Sequence, residues 1–208
     1  AANQNQIQAI TPFFFEDFAS GLPSGWQAID NAGNGVNWTY TTTGIANQGS
    51  YPGYDSLSTT NTSASNGYMM YDSDSTNGGV GGEDADLITD AIDCSAHSNV
   101  HLFFNELLAH YAEIPTVSVS TDGSTWTQVF DASAGLNQND VTPNPTAIDI
   151  DINAIAANQV TVYIKFNFTG DYDYFWMVDD ITLYEQEGTD AFLTSITAPT
   201  NSCTLLSA

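Results

Sequence analysis

Apolar and polar residues alternate most regularly between Val160 and Glu185. A period of two is typical of a strand with one buried face. The pattern predicts two long strands in this segment, joined by a short acidic turn at Gly170. We expect the first strand to bury Val160, Val162, Ile164, Phe166 and Phe168, and the second to bury Phe175, Met177, Ile181 and Leu183.

Asp179 falls in the same phase as the apolar residues of the second strand. A carboxylate that faces a core needs a partner, because an uncompensated buried charge costs several kcal/mol or becomes protonated. The whole chain has a Lys+Arg count of 1, so a salt bridge is nearly unavailable. A hard cation such as Ca²⁺, whose ligands are carboxylate and carbonyl oxygens, is the leading explanation.

Shorter alternating segments precede this pair of strands, and the polar stretch 41–66 predicts an irregular excursion over the sandwich. No segment sustains a helical period. About ten strands in this order predict an all-β, two-sheet antiparallel sandwich. The other predicted strands cover residues 11–18, 67–73, 86–93, 99–111, 116–121, 124–130 and 147–153.

The two ends of the chain differ from the region between them. Residues 1–10 are polar and without pattern, which indicates a linker or tail. Residues 11–186 form the predicted domain. Residues 187–208 read as a second linker followed by the start of another module, so neighbouring domains of the same polypeptide are expected partners.

The composition of the chain restricts the classes of molecule that it could bind. The formal net charge is −24 with only 12% charged residues, so the acidity reflects the near absence of Lys and Arg. Such a surface repels nucleic acid and anionic membranes, and no apolar run approaches the roughly 20 residues of a membrane span. The abundance of Ser, Thr, Asn and Gly is typical of extracellular β-proteins. The two cysteines, Cys94 and Cys203, are too few for a disulfide scaffold, and a single bridge between them stays open as an alternative.

The sequence gives little support for a catalytic site. His97 and His101 lie on a predicted turn and strand, where they share no helix face, so a zinc-protease site is not expected. His110 lies near Glu106 and Glu113 in the sequence, but no nucleophile motif accompanies them. The sequence predicts a protein that is not an enzyme.

The order of several motifs resembles the MAM-like and cleaved-adhesin jelly-roll domains of secreted Bacteroidota proteins, over about residues 13–185. The motifs are FFFEDF, LPSGWQAIDNAGNGVNW, DADLITDAIDCS, NVHLFF, VSVSTDGSTWTQV and YFWMVDDITLY. The resemblance implies a jelly roll, an extracellular or cell-surface location, and structural calcium. The implied ligands at matching positions are Glu16 or Asp17, Asp30, Asn34, and Asp179 or Asp180. The family loop usually has more Asp where Ala32 and Asn34 stand here.

Domains of this kind serve several functions. The first hypothesis is a non-catalytic, calcium-stabilised module for adhesion, with glycans or a host or neighbouring cell surface as ligand. The alternatives are a structural repeat that assembles with copies of itself in a surface filament, and an accessory domain of a secreted protease or polysaccharide hydrolase. The tryptophans fall at aromatic positions of the family and are expected to be structural. The candidate sugar-stacking residues are therefore tyrosines, namely Tyr51, Tyr54, Tyr111, Tyr172 and Tyr174, with Tyr68 and Tyr71 as further members.

Overall fold

The computed structural model describes residues 12–44, 46, 56–76 and 81–186. The predicted tail 1–10, the predicted following module 187–208, and Tyr51 and Tyr54 lie outside these ranges. In the described part of the chain, no helix is long and apolar enough to cross a membrane.

Two antiparallel sheets pack face to face, which confirms the predicted β-sandwich. One sheet has six strands, in the order β3-β4-β11-β6-β9, with β1 also paired to β11. The other has five strands in the order β2-β5-β10-β7-β8. The strands are β1 (Pro12–Glu16), β2 (Gln27–Asp30), β3 (Thr39–Thr41), β4 (Tyr68–Asp72), β5 (Glu83–Ile88), β6 (Val100–Ala109), β7 (Ile114–Ser120), β8 (Thr127–Asp131), β9 (Thr146–Asp151), β10 (Tyr163–Gly170) and β11 (Phe175–Glu185). A one-turn helix, Asn153–Ala156, and a 3₁₀ turn, Ser73–Thr76, complete the regular structure of the described ranges.

Strand β10 follows the predicted alternation. Ile164, Phe166 and Phe168 are buried in the main core between the sheets. Val160 does not belong to this strand, because β10 begins at Tyr163, and Val160 is 70% exposed. The prediction that Val160 is buried is wrong.

Strand β11 departs from its predicted single phase. Trp176 and Val178 face the main core, whereas Phe175 and Met177 belong to a second apolar cluster. The pairing with β6 shifts register between Asp179 and Thr182, and Asp180 has a positive φ of 54°. The extra residue of this β-bulge reverses the phase, so that Ile181 and Leu183 return to the main core.

The second apolar cluster covers the outer face of the six-stranded sheet. Leu57 and Ala64 from the long connection before β4 pack with Phe175, Met177 and Leu107. The predicted excursion over the sandwich is therefore confirmed where the connection is described. Both faces of β11 are buried, with Asp179 on the outer side among the residues under the connection.

Strands β2 and β5 differ from the prediction. Gln27–Asp30 forms β2, in a segment for which no strand was predicted. Strand β5 spans Glu83–Ile88 instead of residues 86–93. In both cases apolar residues are sparse, so the alternation was too short to locate the strand.

Candidate functional site

The acidic bulge, defined as Asp179 and Asp180, is the most unusual polar feature of the sandwich. Asp179 is 0% exposed and Asp180 is also buried. The Ser63 hydroxyl donates to Asp180 Oδ1 at 2.6 Å, and its oxygen lies 3.3 Å from Asp179 Oδ2. Asn105 Nδ2 donates to Asp180 Oδ2 at 2.8 Å. Burial, together with the neighbouring charge of Asp180, raises the pKa of Asp179 to about 8.

The turn after β1 approaches the acidic bulge. Ser63 Oγ lies 3.5 Å from the backbone oxygen of Asp17, and the charge of Asp17 also raises the pKa of Asp179. Glu16 is half-buried and accepts the Phe18 N–H at 2.7 Å. Burial raises the pKa of Glu16. Four of the six predicted calcium ligands, Glu16, Asp17, Asp179 and Asp180, thus lie in this region.

Asp30 is the last residue of β2, in the opposite sheet, and Asn34 lies in the loop that follows it. Asp30 accepts the N–H of Gly33 at 2.7 Å and of Gly35 at 2.8 Å. The Gly35 N–H is the main reason that the pKa of Asp30 is lowered. Asn34 Oδ1 accepts the Val36 N–H at 3.0 Å. The loop is held by its own backbone donors, and its contacts do not join it to the acidic bulge.

Among the described residues, no three Asp, Glu, His or Cys side chains are arranged so that they could hold a metal ion by themselves. A cation at the acidic bulge would therefore combine two carboxylates with hydroxyl, backbone and water oxygens. Ca²⁺ accepts such mixed sets of six to eight oxygen ligands. The role of all six predicted ligands in calcium binding stays a prediction.

Ser63 and Asn105 are polar members of this site that sequence reasoning missed. Asn105 pairs directly with Asp179 in the β6–β11 register. It shares a strand face with Leu107, which belongs to the second apolar cluster. An Asn in an apolar phase was the one available signal, but the predicted strand gave no indication that its outer face is covered.

A second candidate lies on the outer face of the five-stranded sheet. The polar face is defined as Asn31, Asp84, Asp86, Lys165 and Asn167. Asn167 Nδ2 donates to both carboxylates at 2.8 Å. Asn31 Nδ2 contacts the same two carboxylates at 3.2 and 3.0 Å. The amide groups thus hold the two carboxylates in fixed positions.

Lys165, the single Lys or Arg of the chain, lies beside this network. Its Nζ is 3.6 Å from Asp86 Oδ1 and 4.7 Å from the ring centre of Trp126. Trp126 is half-exposed and belongs to the surface of the sheet, not to the core. Trp126 was expected to be structural, and its contact with the chain's one cationic side chain was not predicted.

The predicted tyrosines occupy different environments. Tyr172 is 55% exposed, and Tyr111 is also exposed. Tyr174 is buried, and its hydroxyl donates to Asn139 at 2.8 Å. The Tyr111 and Tyr174 rings are in edge contact, with centroids 5.5 Å apart. Tyr68 and Tyr71 are buried in the two apolar clusters.

Each histidine lies next to a carboxylate. His97 and His101 contact Glu185 and Asp149 at 3.2 and 2.9 Å. His110 pairs with Glu113 at 2.9 Å. Glu106 is not part of that pair, since it accepts the Trp176 indole N–H at 2.8 Å inside the sandwich.

Comparison with known structures identifies the fold. The K1 cleaved adhesin domain of Lys-gingipain from Porphyromonas gingivalis W83 matches with a TM-score of 0.56 and 19% identity, over 84% of this chain and 98% of that domain. The K3 domain matches with a TM-score of 0.58 and 20% identity, over 84% and 100% of the two chains. The K2 domain matches with a TM-score of 0.53 and 16% identity, over 84% and 98%. No protein-family model and no curated protein sequence matches the chain. The chain has the fold of the cleaved adhesin domains, as its motif order implied.

Proposed function

We propose that the chain is a non-catalytic extracellular adhesion module that binds neutral glycans through its polar face and is stabilised by a calcium ion at the acidic bulge. The observation that carries the proposal is the contrast between the two sheets. The outer face of the six-stranded sheet is covered by the connection before β4, whereas the outer residues of β10 are half-buried or exposed. The similarity to cleaved adhesin domains supports the assignment to adhesion.

The polar face has the chemistry that a sugar requires. Carboxylate and amide groups offer hydrogen-bond acceptors and donors at close spacing to hydroxyl groups. Their mutual hydrogen bonds fix their positions before a ligand binds, which lowers the entropy cost of binding. The Lys165 ammonium carries three N–H groups, and Asp86 at 3.6 Å engages it weakly. Trp126 adds an apolar surface at the side of the network.

Charge argues for a neutral ligand. The chain carries a formal charge of −24, so its field repels anionic polymers. The carboxylates Asp84 and Asp86 are already bonded to amides, and Lys165 faces one of them. A neutral polysaccharide satisfies these groups without adding charge to the surface.

The calcium proposal rests on the burial of two adjacent carboxylates. The Ser63 hydroxyl lies within reach of both carboxylates, and the Asn105 amide and the Ser63 backbone N–H also donate to Asp180. The charge of Asp180 adds to the effect of burial in raising the pKa of Asp179, and a bound cation would offset that repulsion. The two carboxylates, the Ser63 hydroxyl and the Asp17 backbone oxygen are the groups that would bind Ca²⁺. The ion would link the last strand, the first strand and the connection that covers the sheet.

Glycan binding is tested with a panel of immobilised neutral polysaccharides (galactan, mannan and xylan) and with whole-cell adhesion. We expect binding by the wild-type chain, and at least a tenfold loss of affinity in Trp126→Ala and Asn167→Ala. Tyr172→Ala, which removes a more exposed aromatic ring that is not a member of the polar face, is the control and should bind normally. Loss confined to the tyrosine variant would move the site to the tyrosines. No binding to the panel or to cells would refute the glycan proposal and favour the filament-repeat or accessory-domain alternatives.

Calcium stabilisation is tested by thermal unfolding in calcium and in a chelator, at high salt so that bulk charge repulsion is screened. A ligand present at 100 times its Kd stabilises the folded state by about 2.7 kcal/mol, so the wild-type midpoint should rise by several degrees. Asp179→Asn should lose most of this response. Asp151→Asn, an exposed carboxylate on β9, should keep it. Equal midpoints of the wild type in calcium and chelator would remove calcium from the proposal.

A further inference from the structure

A second group of buried acidic side chains lies where β4, β5 and the turn before β11 meet. Glu83 is the first residue of β5, and it shares the phase of Ala85 and Leu87, which face the main core. It pairs with Gly170, the last residue of β10. Glu83 therefore faces inward at one end of the sandwich.

Glu83 has no ordinary partner. Its side chain is 1% exposed, and within the described ranges neither carboxylate oxygen accepts a hydrogen bond. The Ser73 hydroxyl is near enough to lower the pKa of Glu83, but the two groups do not reach hydrogen-bonding geometry. Tyr71 adds a second such group, because its buried hydroxyl also lacks a partner among the described residues. After burial, the charge of Glu83 is the largest influence that raises the pKa of Tyr71.

Two more carboxylates surround Glu83. Burial is the main reason that the pKa of Glu83 is raised to about 7, and the negative charges of Asp173 and Asp74 raise it further. Asp173 is itself 1% exposed, and Asp74 is buried. Asp74 and Asp173 also interact with each other, since the charge of Asp173 raises the pKa of Asp74. The charges of Asp74 and Asp173 thus both act on Glu83, although the three carboxylates are not arranged to hold a metal ion by themselves.

Asp173 is held firmly in place. Its Oδ2 accepts the Asp171 N–H at 2.6 Å, and its Oδ1 accepts the Ala112 N–H at 3.0 Å. Its own N–H donates to Ser73 Oγ at 2.8 Å. A Cβ on Gly170 would lie 2.3 Å from Asp173 Oδ2. The glycine opposite Glu83 is therefore what allows the Asp173 carboxylate to approach.

We propose that Glu83 and Asp173 bind a second Ca²⁺ ion, with the Ser73 hydroxyl as a further ligand. The set consists of hard oxygen donors, which suit Ca²⁺, and backbone oxygens and water supply the remaining positions. Lys165 is engaged at the polar face, and His110 is paired with Glu113. A proton on Glu83, or a buried water between Glu83 and Tyr71, is the competing explanation. This site is separate from the acidic bulge and from glycan binding.

Calcium stoichiometry distinguishes these explanations. After equilibrium dialysis against calcium at pH 8, elemental analysis should find two ions per wild-type chain. Glu83→Gln should retain one, Asp179→Asn should retain one, and the double variant should retain none. Asp84→Asn, adjacent to Glu83 but on the outer face of the sheet, is the matched control and should retain two.

Two ions in Glu83→Gln would overturn the proposal in favour of a proton or a water. If that variant does not fold, judged by circular dichroism, Asp173→Asn replaces it, because the amide oxygen still accepts the Ala112 N–H. Asp179→Asn also decides the question with Glu83 intact. One remaining ion supports the second site, and no remaining ion refutes it. An unchanged count of two in Asp179→Asn would instead refute calcium at the acidic bulge and leave the Glu83 site standing.

Discussion

Glu106→Gln should stabilise the protein at alkaline pH and leave it nearly unchanged at acidic pH. Glu106 shares a face of β6 with Phe104 and Leu108, which belong to the main core. Its side chain is 1% exposed, and its Oε2 accepts the Trp176 indole N–H at 2.8 Å. The glutamine amide oxygen accepts the same hydrogen bond without a charge in the core.

The magnitude follows from the pKa. Burial raises the pKa of Glu106 from its ordinary value of 4.5 to about 7, although the Trp176 N–H opposes the shift. When a carboxyl has a higher pKa in the folded state than in the unfolded state, the protein has its full stability below the unfolded-state pKa. The free energy of unfolding then falls as the pH rises toward the folded-state pKa. The loss accumulates between about pH 4.5 and 7. At 1.36 kcal/mol per pKa unit, it reaches roughly 3 kcal/mol at pH 8 and stays below about 1 kcal/mol at pH 5.

The assay is urea unfolding at pH 5 and pH 8, in the same salt and calcium, monitored by tryptophan fluorescence. The free energy of unfolding of Glu106→Gln should exceed that of the wild type by roughly 3 kcal/mol at pH 8, and the difference should shrink to below about 1 kcal/mol at pH 5. Asp151→Asn removes one charge from the exposed side of β9 and controls for the change in net charge. A Glu106→Gln variant that is equally or less stable than the wild type at pH 8 would refute the reasoning. Glu106 would then be ionised at no cost in the folded state.

Gly67→Ala should destabilise the fold by more than about 1 kcal/mol, which is the usual cost of Ala at a positive φ. Gly67 has φ +126°, and a Cβ there would also lie 2.3 Å from a Tyr40 ring carbon. Gly33→Ala is the control for the backbone cost in the same urea assay, because Gly33 has φ +68° and no atom lies within 4 Å of the added Cβ. An equal loss of stability in the two variants would show that the Tyr40 ring moves aside at no cost. Burial raises the pKa of the Cys94 thiol to about 11, so in a Cys203→Ser background a thiol reagent at pH 8 should modify Cys94 slowly in the folded chain and rapidly in urea. Fast modification of the folded chain would mean that Cys94 is accessible.

Local alternation was a good guide to the fold where one face of a strand is buried. Ile164, Phe166 and Phe168 were placed correctly because the period of two is a property of the strand itself. It failed on β11, where both faces are buried and every residue pattern is compatible with the core. The positive φ of Asp180 has no sequence signature, so the bulge that reverses the phase could not be foreseen.

The acidic bulge was half predictable. An acid in an apolar phase of a chain with almost no Lys or Arg marked Asp179, and the structure buries it completely. Its polar neighbours come from distant parts of the chain, Ser63 at a separation of 116 residues and Asn105 at 75 residues from Asp180. Contacts of that range depend on how the connection folds over the sheet, and no local pattern encodes them.

The scarcity of basic residues also determines how susceptible the chain is to cleavage by trypsin-like proteases. Trypsin cleaves after Lys or Arg, and this sequence offers it one peptide bond, at Lys165. That bond lies within β10, which is hydrogen-bonded to β5 on one side and to β7 on the other. A protease needs an extended, unpaired segment, so the cut requires the middle of the sheet to open and not merely an end to fray. The lifetime of the intact chain in trypsin therefore measures global opening, and a module of this kind persists among trypsin-like proteases for as long as it stays folded.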